Sequence, residues 1–517
     1  MGFISISKSR LNWSESEWHF LWRWLFVSLG FHLLTAYFSV GYHSPDEHFQ
    51  IVEFAGYKLG LTPLKDLAIE FSERMRPWML PAICTGIAHF LQVIGIQNPF
   101  TWALGFRLFA SLMGWLSCVV LTLCLQEWIP NSKRTRRTAI LVLLLIWFLP
   151  VLHARPSSEN LAGSSFLIGL GLIVLNRGLS VWFGVLAGIF LGLSFEFRFQ
   201  MGFAVAGLAA WWIFQRKPIV ASALGFLFVF ALGRIVDAWG YGEWVFSPWR
   251  YVDYNLIRNQ VSIYGSAPWW DIFRMSFTES WPFLGTLLLC SVLLAWIRFP
   301  THVLTWSYVP LFFIHEWIAH KELRFFFPIA MAAPVLFVMS FSQHFSRQGL
   351  QHGQVGGPLP WTKSKIVRGV WKFLLLNNFI ALIVLAFMPF SRIVQFYEGV
   401  YKEIQSNTEI VAGKHDFDLY TLDGDPYNVL GTQIGFYRPA QLRVHMVKQL
   451  PELPVSPAFS GEFWFFSNHF ELPPDKWKQR CELRFQTLSS WIKIFGSWLD
   501  RVNVWSLYRC RAALNRE

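Results

Sequence analysis

The sequence predicts an α-helical polytopic membrane protein of about eleven transmembrane helices, with a small extracytoplasmic α/β domain at its C-terminal end. Three observations predict it. Of the 517 residues 54% are hydrophobic and only 15% are charged, against about 25% charged in an average soluble domain. The mean hydropathy is +0.37. The apolar residues are gathered into long runs. Such a balance cannot be spread over a water-soluble surface, and it excludes a disordered or nucleic-acid-binding chain. The net charge of +12, from 44 Lys+Arg against 32 Asp+Glu, is therefore a signal of topology and of contact with anionic lipid.

Eleven spans fit the hydropathy: Leu21–Val40, Thr101–Leu125, Thr138–Val151, Leu161–Leu175, Val181–Leu193, Met201–Phe214, Ile219–Val236, Phe283–Trp296, Val303–Ile318, Phe325–Phe341 and Phe373–Phe390. Several are short for a hydrocarbon layer of about 30 Å. Leu21–Val40 has no small-residue cleavage site behind it, so it reads as a retained first span. Met79–Ile96 competes as a twelfth. The positive-inside rule arbitrates. With eleven spans, Lys8 with Arg10, Lys133 to Arg137, Arg216-Lys217 and Arg347 to Lys372 all fall on the cytoplasmic side. A twelfth span at Met79–Ile96 would put Lys133 to Arg137 outside, so that stretch is expected to be interfacial or re-entrant.

The resulting organisation is a cytoplasmic N-terminus (1–20), a transmembrane module (21–390) with a long first external loop (41–100), and an extracytoplasmic domain (391–517). The other external segments are His153–Asn160, Ser194–Gln200, Asp237–Glu279 and His320–Arg324. Within the tail, strand-like runs at Phe417–Leu422, Leu442–Val447, Phe463–Phe466 and Glu482–Phe485 accompany an amphipathic helix-like stretch at Leu488–Val504. Gly353–Pro360 reads as a cytoplasmic linker. Cys84, Cys118, Cys124 and Cys290 lie in apolar stretches as small hydrophobes. Cys481 and Cys510 could form one disulfide in an oxidising compartment. No Cys/His spacing suggests zinc.

Lipid contact and helix packing account for the long apolar runs. Charge on the side where the positive-inside rule disfavours it does not follow from them. Arg74, Arg76, Arg155, Arg198, Arg234, Arg250, Arg258, Lys321 and Arg324 lie in or near external loops. Interfacial snorkelling explains some. An anionic headgroup or lipid-linked phosphate explains others, because a guanidinium grips phosphate through two N–H groups. Asp46 and Glu47, in Tyr42-His43-Ser44-Pro45-Asp46-Glu47-His48-Phe49-Gln50, could supply a general base at the membrane surface. The same residues also suit the start of a capped helix. His320-Lys321-Glu322-Leu323-Arg324-Phe325 packs cations and an acid at the rim of an apolar hairpin, as a phosphate site or as a turn closed by its own salt bridges. Asp423-Gly424-Asp425 lacks the other ligands of a calcium loop and reads as a turn. The sequon at Asn12 is expected on the cytoplasmic side, unglycosylated.

His43-Ser44-Pro45-Asp46-Glu47 after the first span and His320-Lys321-Glu322-Leu323-Arg324-Phe325 late in the chain resemble the family 22 glycosyltransferases of the GT-C superfamily. These use polyprenyl- or dolichyl-phosphate mannose and carry a His-Lys-Glu-x-Arg-Phe signature. Ala154-Arg155-Pro156, Asp237 with Tyr241-Gly242 and Trp244, Tyr254-Asn255-Leu256, Asn259 and Tyr264-Gly265-Ser266-Ala267-Pro268-Trp269 lie between them. The last stretch looks most like the branch that adds the third mannose of the glycosylphosphatidylinositol anchor. Ser44 lengthens the usual His-Pro-Asp-Glu by one residue.

The resemblance implies a GT-C fold and an inverting transfer of mannose from a lipid-phosphate donor to a hydroxyl of a lipid-linked glycan, giving an α-mannoside. By the family pattern Asp46 is the base and Glu47 its reserve. His320, Lys321 and Arg324 would hold the donor phosphate, with Arg155 as a supporting contact. Tyr264, Gly265 and Trp269 would shape the substrate groove. The motif requires no cofactor; some GT-C relatives use a divalent metal, which Asp46 and Glu47 could share. The expected partners are donor lipid, glycan acceptor and membrane lipid, not nucleic acid. The expected compartment is a bacterial inner membrane with a periplasmic site or an endoplasmic reticulum membrane with a lumenal one. The alternatives are a GT-C transferase of another sugar or glycan, and a transporter or flippase of lipid-linked sugars. The latter would call for repeats and paired broken helices, which the sequence does not show.

Overall fold

The computed structural model describes residues 13–129, 132–176, 180–281, 283–341, 365–422, 424–447, 462–468, 480–488 and 504–511. The expected helix at Leu488–Val504, the linker Gly353–Pro360 and Asp423 lie wholly or mostly outside them. The chain divides into two compact units. One gathers the described residues of Met1–Ser39, Ile69–Cys84 and Leu104–Met388; the other gathers those of Val40–Ala68, Thr85–Ala103 and Pro389–Glu517.

The first unit is helical. Its elements are α1 (Glu15–Phe38), α2 (Met79–Val93) and α3 (Pro99–Trp128), both shared with the second unit, α4 (Lys133–Leu145), α5 (Leu149–His153), α6 (Ser158–Asn176), α7 (Val181–Phe197) and α8 (Met201–Phe214). There follow α9 (Val220–Tyr241), α10 (Asp271–Thr278), α11 (Leu284–Arg298), α12 (Val303–Trp317), α13 (Phe327–Phe341) and α14 (Lys365–Phe387). Among the described residues five stretches are long and apolar enough to cross a membrane: Pro99–Trp128, Ser158–Asn176, Val220–Tyr241, Leu323–Phe341 and Gly369–Ser406. The helices at several other expected spans are shorter. Met201–Phe214, with 14 residues, is about 21 Å long. The Met79–Ile96 stretch forms a 15-residue helix, about 22 Å long and so short of a full crossing.

Close helix packing follows from small residues. Gly184, Gly188 and Gly192 form a ridge along α7 that meets α9: a Cβ on Gly188 would lie 2.0 Å from the Ser222 carbonyl oxygen, and one on Gly225 2.1 Å from that of Val185. Without a hydrophobic force between helices in lipid, such ridges supply the van der Waals contact.

The single span expected at Thr138–Val151 is instead broken. Ile146, the C-cap residue, leaves the helix in extended geometry (ψ 135°), and a new turn starts at Leu149 with Pro150 in its first positions. Asn378 on α14 repairs the gap: its Nδ2 donates to Leu145 O (2.9 Å) and its Oδ1 accepts from Trp147 N (3.0 Å). Unpaired backbone groups are costly in a bilayer, so a break there needs such a partner.

At one end of this unit, Arg136 at the start of α4 pairs with Glu17 of α1 (2.6 Å), while Lys133 donates to Ser16 (2.8 Å). The basic cluster Lys133 to Arg137 and the start of the first helix therefore share an end.

The second unit holds a five-stranded mixed sheet. Its strands are β1 (Phe417–Thr421), β2 (Leu442–Met446), β3 (Glu462–Ser467), β4 (Cys481–Gln486) and β5 (Ser506–Arg511), in the order β2-β1-β3-β5-β4. β1 runs parallel to β2 and β3, and β5 antiparallel to β3 and β4. The four strand-like runs expected from sequence are strands; β5 is an addition. Helix α15 (Arg392–Ser406) packs Phe396 against Phe466 and Trp505, with ring centroids 5.0 and 5.4 Å away. Cys481 and Cys510 face each other in register and form a disulfide. The unit that contains the tail also takes in residues 40–68 and 85–103.

Candidate active site

The His320–Phe325 turn belongs to the first unit. It follows α12 as extended chain and re-enters the bundle through a 3₁₀ turn at Leu323–Phe326. Glu322 is its centre. Arg324 donates from Nε to Glu322 Oε2 (2.5 Å) and from Nη2 to Oε1 (2.8 Å), and His320 Nε2 lies 2.9 Å from the same Oε1. Behind Arg324, Glu159 at the start of α6 approaches its Nη1 at 3.8 Å and pairs with Arg198 at 2.6 Å. The guanidiniums of Arg324 and Arg198 lie 5.5 and 5.1 Å from the centroid of Phe325. The turn is thus a closed array of alternating charges, with Glu322 its more exposed member.

Lys321 points the other way. Its Nζ donates to the carbonyls of Glu316 (2.8 Å), Ile318 (2.8 Å) and His315 (3.3 Å), and stands 3.8 Å from the Glu316 carboxylate. It caps the C-terminus of α12, where orphan carbonyls and the helix dipole favour a cation. Burial draws its pKa below the usual lysine value, against the pull of Glu316 and Asp271.

Arg155 is fully buried, and its Nη2 donates to the carbonyl and hydroxyl of Ser39 at the C-terminal cap of α1. Tyr264 stands beside the charged turn: its ring centroid is 6.1 Å from that of His320, and Ala267 N donates to Ala319 O (2.9 Å). Burial, with a hydrogen bond to Tyr254, pushes the Tyr264 hydroxyl up to about 12. Gly265 takes φ +105°, and Trp269 is exposed. The structure therefore joins His320, Arg324 and Tyr264 in one neighbourhood, while Lys321 and Arg155 act on helix ends.

Four of the cations expected outside, Arg74, Arg198, Arg234 and Arg258, have carboxylate partners that the sequence does not reveal. Arg198 meets Glu159, Arg234 meets Glu196 (2.6 Å) and Asp237 (3.1 Å), Arg258 meets Glu73 (2.5 Å), and Arg74 meets Glu243.

Asp46 and Glu47 lie in the second unit. Ser44 caps the short turn Pro45–Glu47, accepting from Asp46 N at 3.4 Å. Glu47 is buried, and its Oε2 accepts from His43 N (3.2 Å). Asp46 is only partly buried. The two adjacent carboxylates are thereby distinguished: Glu47 closes its own loop and Asp46 is the more accessible. A π-helical turn, His48–Val52, follows at once. Such turns are rare and concentrate at functional sites.

A bundle of apolar helices with a charged turn at its rim defines a multi-pass membrane protein of GT-C fold. The fold matches ArnT from Cupriavidus metallidurans, solved bound to undecaprenyl phosphate, with a TM-score of 0.55 and 12% identity over 96% of this chain and 98% of that one. The chain belongs to the Alg9-like mannosyltransferase family, whose profile matches residues 22–417. GPI α-1,2-mannosyltransferase 3 of Mus musculus is 24% identical over 370 residues, 65% of this chain and 58% of that protein. The Danio rerio protein of the same name is 24% identical over 230 residues, 43% of this chain and 36% of its own length. The chain thus matches less than two thirds of the length of these relatives.

Proposed function

We propose that this protein is an inverting mannosyltransferase that moves mannose from a lipid-phosphate donor to a hydroxyl of a lipid-linked glycan on the extracytoplasmic face. The observation that carries the reading is the Glu322-centred array of His320 and Arg324, backed by Glu159 and Arg198, in a chain of the Alg9-like family. The acceptor oxygen attacks the anomeric carbon, its proton passes to the Asp46 carboxylate, and the bond from that carbon to the phosphate oxygen breaks. The bond's electron pair leaves with the phosphate, which gains one negative charge. Fixed cations oppose that charge most effectively where water is excluded. Arg324 and His320 supply the direct contacts. Lys321 adds positive charge and fixes the end of α12, and Arg155 fixes the end of α1. Tyr264, Gly265 and Trp269 border the sugar or acceptor.

The Cys481–Cys510 disulfide supports an oxidising compartment for the tail, and hence the extracytoplasmic side. The names of the mouse and zebrafish relatives favour a glycosylphosphatidylinositol precursor as acceptor. The test is transfer by purified protein in nanodiscs from radiolabelled polyprenyl-phosphate mannose to a panel of lipid-linked glycans. An α-linked mannosyl product is expected. Absence of donor binding would overturn the reading in favour of another sugar carrier.

A further inference from the structure

The sequence loop that carries Asp46 is gripped at both ends by the C-terminal region, all within the second unit. At the near end, Phe390 N and Ser391 N both donate to Val40 O (2.9 and 3.0 Å), and the ring of His43 packs on Phe390 (5.6 Å). Gly41, at φ +94°, runs so close to Ser391 that a Cβ there would lie 2.3 Å from the Ser391 Cβ.

At the far end, the carboxylate of Glu53, fully buried, takes five hydrogen-bond contacts. His48 Nε2 lies 2.6 Å from Oε1, and Thr62 Oγ1 donates to Oε2. Gly435 N donates to Oε1 (3.1 Å), and Phe436 N reaches Oε1 and Oε2 (3.2 and 3.1 Å). His48 is itself held between the rings of Tyr42 (5.2 Å) and Tyr437 (5.6 Å). An unpaired buried carboxylate would cost several kcal/mol, so these donors are what make Glu53 tolerable there. Backbone N–H groups 382 and 383 residues further along the chain thus close a buried anion cup around the Glu53 carboxylate.

We propose that Glu53 and the Gly435–Tyr437 segment are positioning elements that fix the loop bearing Asp46, making the C-terminal region a working part of the active site. Gly435–Tyr437 lies beyond residues 22–417 that the family profile matches, so the family match does not assign it this role. The proposal rests on Asp46 being the base. In the folded enzyme the Asp46 carboxylate is held between two anchors, and loosening either one displaces it. A misplacement of about 1 Å costs on the order of 100-fold in rate.

The test works from the tail side, on the full chain in nanodiscs. Gly435→Ala would set a Cβ 2.9 Å from the Thr62 backbone and push the segment away from Glu53. Glu53→Gln replaces an acceptor of five contacts by a group with one acceptor oxygen. Both variants are expected to lose about 100-fold in kcat per folded molecule, with KM for the donor unchanged. A merely structural role would instead reduce the yield of folded protein and leave kcat per folded molecule alone, and that result would overturn the proposal. Hydrogen exchange provides a readout independent of transfer: amides 42–53 are expected to lose protection in Gly435→Ala, and unchanged protection would also overturn it. Transfer that survives Asp46→Asn while Gly435→Ala still exposes amides 42–53 would refute the assignment of the base and keep the anchor.

Discussion

Glu322 holds Arg324 through both arms of its guanidinium, Nε to Oε2 and Nη2 to Oε1, while its Oε1 also meets His320. Planarity is what makes this arrangement possible, and lysine lacks it. Arg324→Lys keeps the charge but loses the fork, so transfer should fall roughly 100-fold. Steady-state kinetics on the two proteins checks this, with thermal stability close to wild type.

Lys321→Met should act differently. It leaves three carbonyls at the end of α12 without their donor and Glu316 without its nearby cation. Removing one partner of a buried pair costs about 3 kcal/mol or more. The thermal midpoint in detergent should drop clearly, with loss of activity following loss of fold.

Asn378→Leu tests the broken helix. The substitution removes the partners of Leu145 O and Trp147 N. Two orphaned groups together cost about 3 kcal/mol. A lowered thermal midpoint that Asn378→Gln does not restore is the expected outcome, because the longer side chain misses the geometry.

Cys510→Ser opens the link between β4 and β5, whose cysteines are 29 residues apart. Loop-closure entropy puts the loss at about 3.5 kcal/mol. Limited proteolysis should then cut within 462–511, while the helical unit stays intact.

Much of this was legible in the sequence. Hydropathy located the helices, because lipid demands long apolar runs whatever the fold. The cations of the His320–Arg324 turn stood out as charge where the positive-inside rule disfavours it, and Asp46-Glu47 as adjacent carboxylates directly after the first span. The pairing of Cys481 with Cys510 was open, and the sheet register closed it. What could not be read were long-range partners. Glu159 and Glu53 look like ordinary helix-starting acids, and nothing local marks the one as Arg198's partner or the other as the acceptor for Gly435 and Phe436. The gap after Leu145 was hidden inside a continuous apolar run, since the residue that repairs it lies more than two hundred positions away. Strand β5, Ser506–Arg511, sets Arg509 and Arg511 around Cys510 and gains its identity from pairing with β3 and β4.

The central claim is that Asp46 deprotonates the acceptor while Arg324 and His320 oppose the charge on the donor phosphate. It is tested most directly by mixing preloaded enzyme and radiolabelled lipid-phosphate mannose with acceptor and following a single turnover. Asp46→Asn should bind donor as wild type does and transfer at a rate lower by a factor of about 10³. Transfer by Asp46→Asn at the wild-type rate, with donor binding intact, would contradict the account.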